Sequence, residues 1–268
     1  MDKIFEKLAP TLGEDEARVS ARELLKFCGD DETKLADAIE RRLLGEPLQY
    51  IIGEWDFYNC TFRLGEGVLC PRPETEMIVD DALDFLSERQ NQTVLDLCSG
   101  SGAIAIAVAK NNPNAKVMAI EKSPVAFEYL KQNIVLNKVK NVTPFCDDIL
   151  TGCDYFFKTK APAFDLILSN PPYVKTADID ELQLEVQREP RLALDGGEDG
   201  LVFYRALAKR WLPCLKAGGK MLVECGEDQA DDIIAIFEPE IATSCGKITK
   251  KQDFSGLFRV VCVEKLLK

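Results

Sequence analysis

Asn170-Pro171-Pro172-Tyr173 forms a short tip able to grip a planar nitrogen group. The asparagine presents one side-chain carbonyl and one NH2. The two prolines fix the backbone beside it and cannot continue a sheet ladder. The apolar run Phe164–Ser169 before it reads as a buried strand, so the tip falls just past a strand end, where open α/β sheets bind ligands. A planar amide or amino group held there could be alkylated.

A second constellation, Asp96-Leu97-Cys98-Ser99-Gly100-Ser101-Gly102, leaves one predicted strand and enters a predicted helix. Gly100 and Gly102 let the backbone turn sharply and approach a ligand closely. The helix start beyond them favours a negative group. The spacing is not G-x-G-x-x-G and no P-loop lysine follows, which argues against a dinucleotide or a triphosphate. Glu121, ending the next strand, can accept both hydroxyls of a ribose. Asp148, just after the third strand, could reach an adenine amino group. The glycine pair alone reads equally well as a tight structural turn. A ligand site is indicated because Glu121, Asp148 and the Asn170 tip all follow successive strands.

The chain contains no histidine, which removes Ser-His-Asp, Cys-His and His-metal chemistry. Its ten cysteines include no C-x-x-C pair, so no metal is expected. Cys146, Cys225 and Cys262 sit in apolar runs and read as small core hydrophobes, reduced in a cytosolic setting. Catalysis must then rest on positioning, carboxylates, amides or a cofactor.

The elements that position these groups follow from periodicity. Leu24, Leu25 and Phe27, then Leu35, Ile39, Leu43 and Leu44, fall at helical spacing around a break at Cys28-Gly29-Asp30-Asp31. Residues 1–50 are thus expected to form a helical domain that either covers the larger domain or docks a substrate. Aromatic and β-branched residues from Tyr50, Ile51 and Ile52 to Phe62, punctuated by glycines, predict a hairpin linker over 51–71. Pro71-Arg72-Pro73-Glu74-Thr75-Glu76 then opens a helix. Strands are expected at 93–97, 116–120, 141–146, 164–169, 220–225 and 257–263. Helices are expected at 103–110, 125–137, 200–215 and 229–237, with Gly218-Gly219 turning into the fifth strand. This alternation makes residues 72–268 an α/β domain with a mostly parallel sheet.

Of the 268 residues, 46% are apolar and 29% charged, which suits a globular protein with a sizeable core. No apolar run approaches a membrane span, and the acidic first twenty residues do not resemble a secretory signal, so the cytoplasm is the expected location. A net charge of −12 opposes binding to a phosphate backbone.

The layout around Asp96–Gly102, Glu121 and Asp148 resembles the class I S-adenosylmethionine-dependent methyltransferases, a Rossmann-like fold whose last strand is antiparallel. The resemblance implies S-adenosylmethionine as cofactor and S-adenosylhomocysteine as product. Asp96, Cys98, Ser99, Gly100, Ser101, Gly102, Glu121, Asp148, Ile149 and Asn170 would bind it. Asp96 would lie near the methionine amine. Many members have glycine where this chain has Cys98.

An N-P-P-[YFW] tip is shared by adenine-N6, guanine-N2 and glutamine-amide methyltransferases. The flanking blocks narrow the choice. Gly45–Gly53, Pro71–Glu76, the tip itself and Glu189–Leu201 resemble the HemK/PrmC family. That family methylates the glutamine of the Gly-Gly-Gln motif in class I peptide chain release factors. The resemblance implies that Asn170, Pro171 and Tyr173 are catalytic and that Asn170, Pro171, Pro172 and Tyr173 bind the substrate glutamine. Release factors would be the partners, docked through residues 1–50, with a monomer the expected state and no nucleic acid or membrane partner. Arg72 and Glu74 are expected to order the site wall, and Asp195–Asp199 reads equally as a glycine turn carrying acids. A nucleic-acid amino methyltransferase is the alternative, and a non-catalytic cofactor-binding module a further one. The weakest match is 238–256.

Overall fold

A computed structural model describes residues 1–154, 163–242 and 246–266; Cys245 lies outside them. Helices α1 (Asp2–Leu12), α2 (Glu14–Cys28) and α3 (Glu32–Leu43) pack around Leu8, Ala17, Ala21, Leu24, Ala38 and Ile39. Asp31 caps α3 by accepting from the Lys34 amide at 2.9 Å. Arg42, fully buried in this layer, donates to Glu16 at 2.8 Å, to Ser20 at 3.2 Å and to the Glu46 carbonyl at 3.1 Å.

Tyr50, Ile51 and Ile52 depart from the hairpin expected of them. They lie in a short helix, α4 (Leu48–Ile52), bounded by Pro47 and by Gly53 in the left-handed region. Burial of Leu48 and Ile51 against the helical core outweighs the strand preference of these side chains. The hairpin itself is β1 (Glu54–Phe57) and β2 (Cys60–Arg63), paired antiparallel. Its two turn residues, Tyr58 and Asn59, both have positive φ, as a two-residue turn between twisted strands requires.

After a single turn at Pro73–Thr75, α5 (Glu76–Leu86) leads into the main sheet. Its first half is β3 (Thr93–Leu97), α6 (Ala103–Asn111), β4 (Lys116–Glu121), α7 (Pro124–Leu136) and β5 (Val142–Cys146). Its second half holds β6 (Phe164–Ser169), β7 (Leu215–Glu224), β8 (Lys247–Gln252) and β9 (Phe258–Glu264). The strand order is β5-β4-β3-β6-β7-β9-β8, parallel except for β9, which runs against both neighbours. Alternate strand residues feed two cores: Val94, Leu166 and Leu168 meet α5 and α6, while Leu95, Leu97 and Ile167 face Tyr204, Trp211 and Phe237. The order reverses between β3 and β6, and the crevice beyond their carboxyl ends is where a ligand belongs.

Three further expectations change. Strand β8 lies where no strand is expected from the sequence, since its Lys-Ile-Thr-Lys-Lys-Gln run is mostly exposed and carries no apolar alternation. Gly218 and Gly219 lie within β7, which begins at Leu215; the register shifts there, with Gly218 at φ +75°. Residues 202–214 remain helical but pass from an α-helix (Val202–Ala206) through a wide π-turn into a 3-10 turn ending at Cys214. Cys225 is a core residue as expected, Cys262 is half-buried, and Cys146 is exposed at the end of edge strand β5. Among the described residues no helix is long and apolar enough to cross a membrane, and no group of acids and cysteines is placed to hold a metal ion.

Candidate active site

The turn after β3 is built by its own polar groups. The Ser99 hydroxyl donates to the Asp96 carbonyl at 2.9 Å, and the Ser99 amide donates to the Ile120 carbonyl at 3.0 Å, tying the turn to β4. The Gly100 amide donates to Glu121 Oε2 at 2.8 Å, and the Ser123 amide to Oε1 at 2.6 Å. Burial raises the Glu121 pKa, opposed by these amides. Gly102 has φ +87°, and a Cβ there would stand 2.5 Å from Leu130. The Ser101 carbonyl accepts from Asn133 at 2.9 Å.

Asp96 is fully buried. Its Oδ2 accepts from the Ala105 amide in the first turn of α6 at 3.2 Å, and its Oδ1 has no partner. Burial pushes its pKa up to about 7. Asp148 behaves oppositely: despite partial burial, the Leu150 amide and Lys122 hold its carboxyl below the usual range.

These elements line a cavity that opens to solvent. Cys98, Gly100, Glu121, Asp148, Ile149, Asn170 and Pro172 all line it. Asp96, Ser99, Ser101 and Gly102 do not; they shape the turn from behind. Pro171 and Tyr173 are likewise absent from the lining. Tyr173 packs against the second core, and its backbone carbonyl accepts from Gln229 at 2.9 Å.

The Asn170 side chain is held from the other side. Its Nδ2 donates to Thr75 Oγ1 at 3.1 Å, and Thr75 Oγ1 donates to Glu224 Oε2 at 2.6 Å. Arg72 pairs with Glu189, which also accepts the Cys70 amide at 2.8 Å, so Arg72 serves the wall. Residues 195–200 form a brace. Val174 and Asp195 bridge, and Cβ atoms on Gly196 and Gly200 would stand 2.8 Å and 2.5 Å from the Tyr173 backbone. Asp195 takes Thr176 and Asp199 takes Arg205, so these acids have structural partners. Thr75, Glu189, Glu224 and Gln229 escape sequence reasoning as site residues. Thr75 lies within the quoted Pro71–Glu76 block, whereas Glu224 sits in an apolar run with only its charge to mark it.

The residues present suit S-adenosylmethionine. An acceptor with no partner at Asp96, open space around Gly100 and the carboxylate of Glu121 match an ammonium, a close approach and a ribose respectively.

The sheet order, the glycine turn after β3 and the acid closing β4 define the class I S-adenosylmethionine-dependent methyltransferase fold. Residues 78–211 match the Methyltransferase small domain family. A ribosomal protein L11 methylase from Lactobacillus delbrueckii subsp. bulgaricus superposes with a TM-score of 0.53 at 18% identity, covering 77% of this chain and 86% of that one. The release factor glutamine methyltransferase of Thermodesulfovibrio yellowstonii is 43% identical over 85% of this chain and 79% of its own length. That of Bradyrhizobium diazoefficiens is 34% identical over 97% of this chain and 86% of its own. The chain belongs to the release factor glutamine methyltransferase family.

Proposed function

We propose that this chain methylates the side-chain nitrogen (N5) of the glutamine in the Gly-Gly-Gln motif of class I peptide chain release factors. The observation that carries this reading is Asn170 lining the same cavity as Gly100, Glu121 and Asp148, with its NH2 already engaged by Thr75. Its Oδ1 is then the atom available to a substrate N–H.

A carboxamide nitrogen is a poor nucleophile because its lone pair is delocalised into the carbonyl. Asn170 Oδ1 accepts one substrate N–H, which raises electron density on the nitrogen and aims it. Pro171, expected from the sequence to offer its carbonyl to the other N–H, does not line the cavity. Gly100, Glu121 and Asp148 would hold S-adenosylmethionine, with the unpartnered Asp96 oxygen behind the turn, and the cofactor would supply an electrophilic methyl group. Holding the two reactants together is worth about 7–11 kcal/mol at best. A fixed acceptor facing the positive charge that develops on nitrogen adds electrostatic stabilisation. The alkylated amide is acidic enough to lose its proton to water, so a chain without histidine suffices.

The helical domain α1–α4 would dock the release factor. Its contacts with Glu185 and Arg188, which closely precede Glu189 in the site wall, support a coupled role. The same reading has the chain acting as a cytoplasmic monomer without a nucleic-acid partner, the last supported by its net charge of −12. Incubation with isotope-labelled S-adenosylmethionine and a purified release factor tests it. One methyl should appear on the Gly-Gly-Gln glutamine and none on a Gln-to-Ala factor. Label in RNA with none in the factor would overturn the reading in favour of a nucleobase acceptor.

A further inference from the structure

We infer that Thr75 and Glu224 are positioning residues that fix the amide of Asn170 with its carbonyl oxygen toward the substrate. The inference rests on the proposed glutamine methylation and adds to it the device that orients the acceptor.

The geometry sets the direction of each hydrogen bond. Thr75 and Glu224 are nearly inaccessible to solvent, so their polar atoms must satisfy one another. While Glu224 is ionised it only accepts, so at 2.6 Å the Thr75 hydroxyl then donates to Glu224 Oε2. With its one proton committed, Thr75 Oγ1 can only accept from its other neighbour. That neighbour, 3.1 Å away, must be the NH2 end of Asn170 rather than its oxygen. The oxygen therefore faces the cavity, the orientation needed to accept a substrate N–H. An amide flip would present an NH2 to that N–H, donor against donor.

The arrangement is also polarising. The carboxylate draws the hydroxyl proton, the hydroxyl oxygen draws the amide hydrogen, and the amide carbonyl becomes a better acceptor. Each link comes from a different element: Glu224 ends β7, Thr75 closes the turn before α5, and Asn170 follows β6. The Tyr204 hydroxyl anchors the Glu224 backbone carbonyl at 2.7 Å.

The relay depends on the charge of Glu224. Burial pushes its pKa up to about 7. Thr75, Glu74 and Arg72 face it from the segment before α5, and Arg259 faces it from β9. Tyr173 after β6, Tyr204 from its helix and Cys225 just past β7 complete the surroundings. Thr75, Arg72 and Arg259 favour the ionised form, and Glu74 opposes it. Once protonated, Glu224 can donate to Thr75, freeing the hydroxyl proton to seek the Asn170 oxygen. Turnover is then lost as pH falls through the Glu224 pKa.

The test compares wild type with Thr75→Val, Thr75→Ser and Glu224→Gln, using a purified release factor and saturating S-adenosylmethionine. Thr75→Val should lower kcat by about 100-fold, the cost of a misplaced reacting group. Cofactor Kd and release-factor KM should change little, because the device acts in the transition state rather than on binding. Thr75→Ser should restore most of kcat. Wild-type kcat should rise through pH 6–8 and Glu224→Gln should lack that limb. An unchanged kcat in Thr75→Val, or an unchanged pH limb in Glu224→Gln, overturns the relay while leaving glutamine methylation standing. Should Thr75→Val not fold, the Glu224→Gln pH profile decides alone. A wild-type protein that labels no release factor removes the underlying reading, and the relay falls with it.

Discussion

At the scale of single residues, binding and turnover should separate. Asn170→Ala removes the acceptor proposed for the substrate but leaves Gly100, Glu121 and Asp148 around the cavity. Single-turnover assays should show methyl transfer slowed by about 100- to 1,000-fold, the usual effect of deleting one polar group aimed at a transition state. Calorimetric cofactor affinity should change little. Asp96 gives a pH signature of another kind. Its pKa is about 7 in the folded chain against an ordinary 3.8, so the folded state holds the proton more tightly. The stability this confers is present below about pH 4 and is lost as pH rises through about 7. Asp96→Asn removes that dependence. The wild-type stability minus that of the variant should therefore fall with pH across this window, at a slope of up to about 1.4 kcal/mol per pH unit. Urea denaturation without cofactor measures it, and parallel curves would show that Asp96 keeps an ordinary pKa.

At the scale of elements, the brace behind the tip should prove stricter than glycine content alone suggests. Gly200 and Gly256 both have positive φ, +74° and +82°. An added Cβ at Gly256 meets open space, whereas at Gly200 it meets the Tyr173 carbonyl and Gln229. Gly256→Ala should cost only the left-handed backbone penalty of about 1–2 kcal/mol and keep full activity. Gly200→Ala should add about 1–3 kcal/mol of overpacking and lose activity by displacing Tyr173. Thermal melts and methylation rates of the two variants check the contrast. The difference also shows what was legible in the sequence. Strands β3 and β6 were readable to the residue because buried parallel strands are nearly continuous apolar runs. Edge strand β8 was not, since an exposed edge selects lysines and polar residues. The cavity-lining acids were legible because Glu121 ends a strand and Asp148 closely follows one. Thr75, Glu189 and Glu224 were not, because their partners lie 95 to 149 residues away and only folding brings them together.

At the scale of the whole molecule, the helical domain and the catalytic domain share a charged seam. Arg42 pairs with Glu185 as well as Glu16, Arg188 donates to the Leu44 carbonyl at 3.2 Å, and a Cβ on Gly45 would strike Leu184. One residue past Arg188, Glu189 holds Arg72 and the Cys70 amide at the site wall. Arg42→Met should destabilise the protein by about 3 kcal/mol, the low end for a broken buried pair because Glu16 and Glu185 keep some contact with water. It should raise the release-factor KM more than it alters cofactor affinity; equal effects on both would place the seam outside substrate docking. This seam also bears on how such a protein can be recombined. A helical domain transplanted from another protein would leave Glu185 without its arginine and press a foreign loop onto Leu184. The head is therefore not an interchangeable adaptor. A chimera should fold better when the stretch from Leu184 to Glu189 travels with the head, because that stretch carries the other half of the seam.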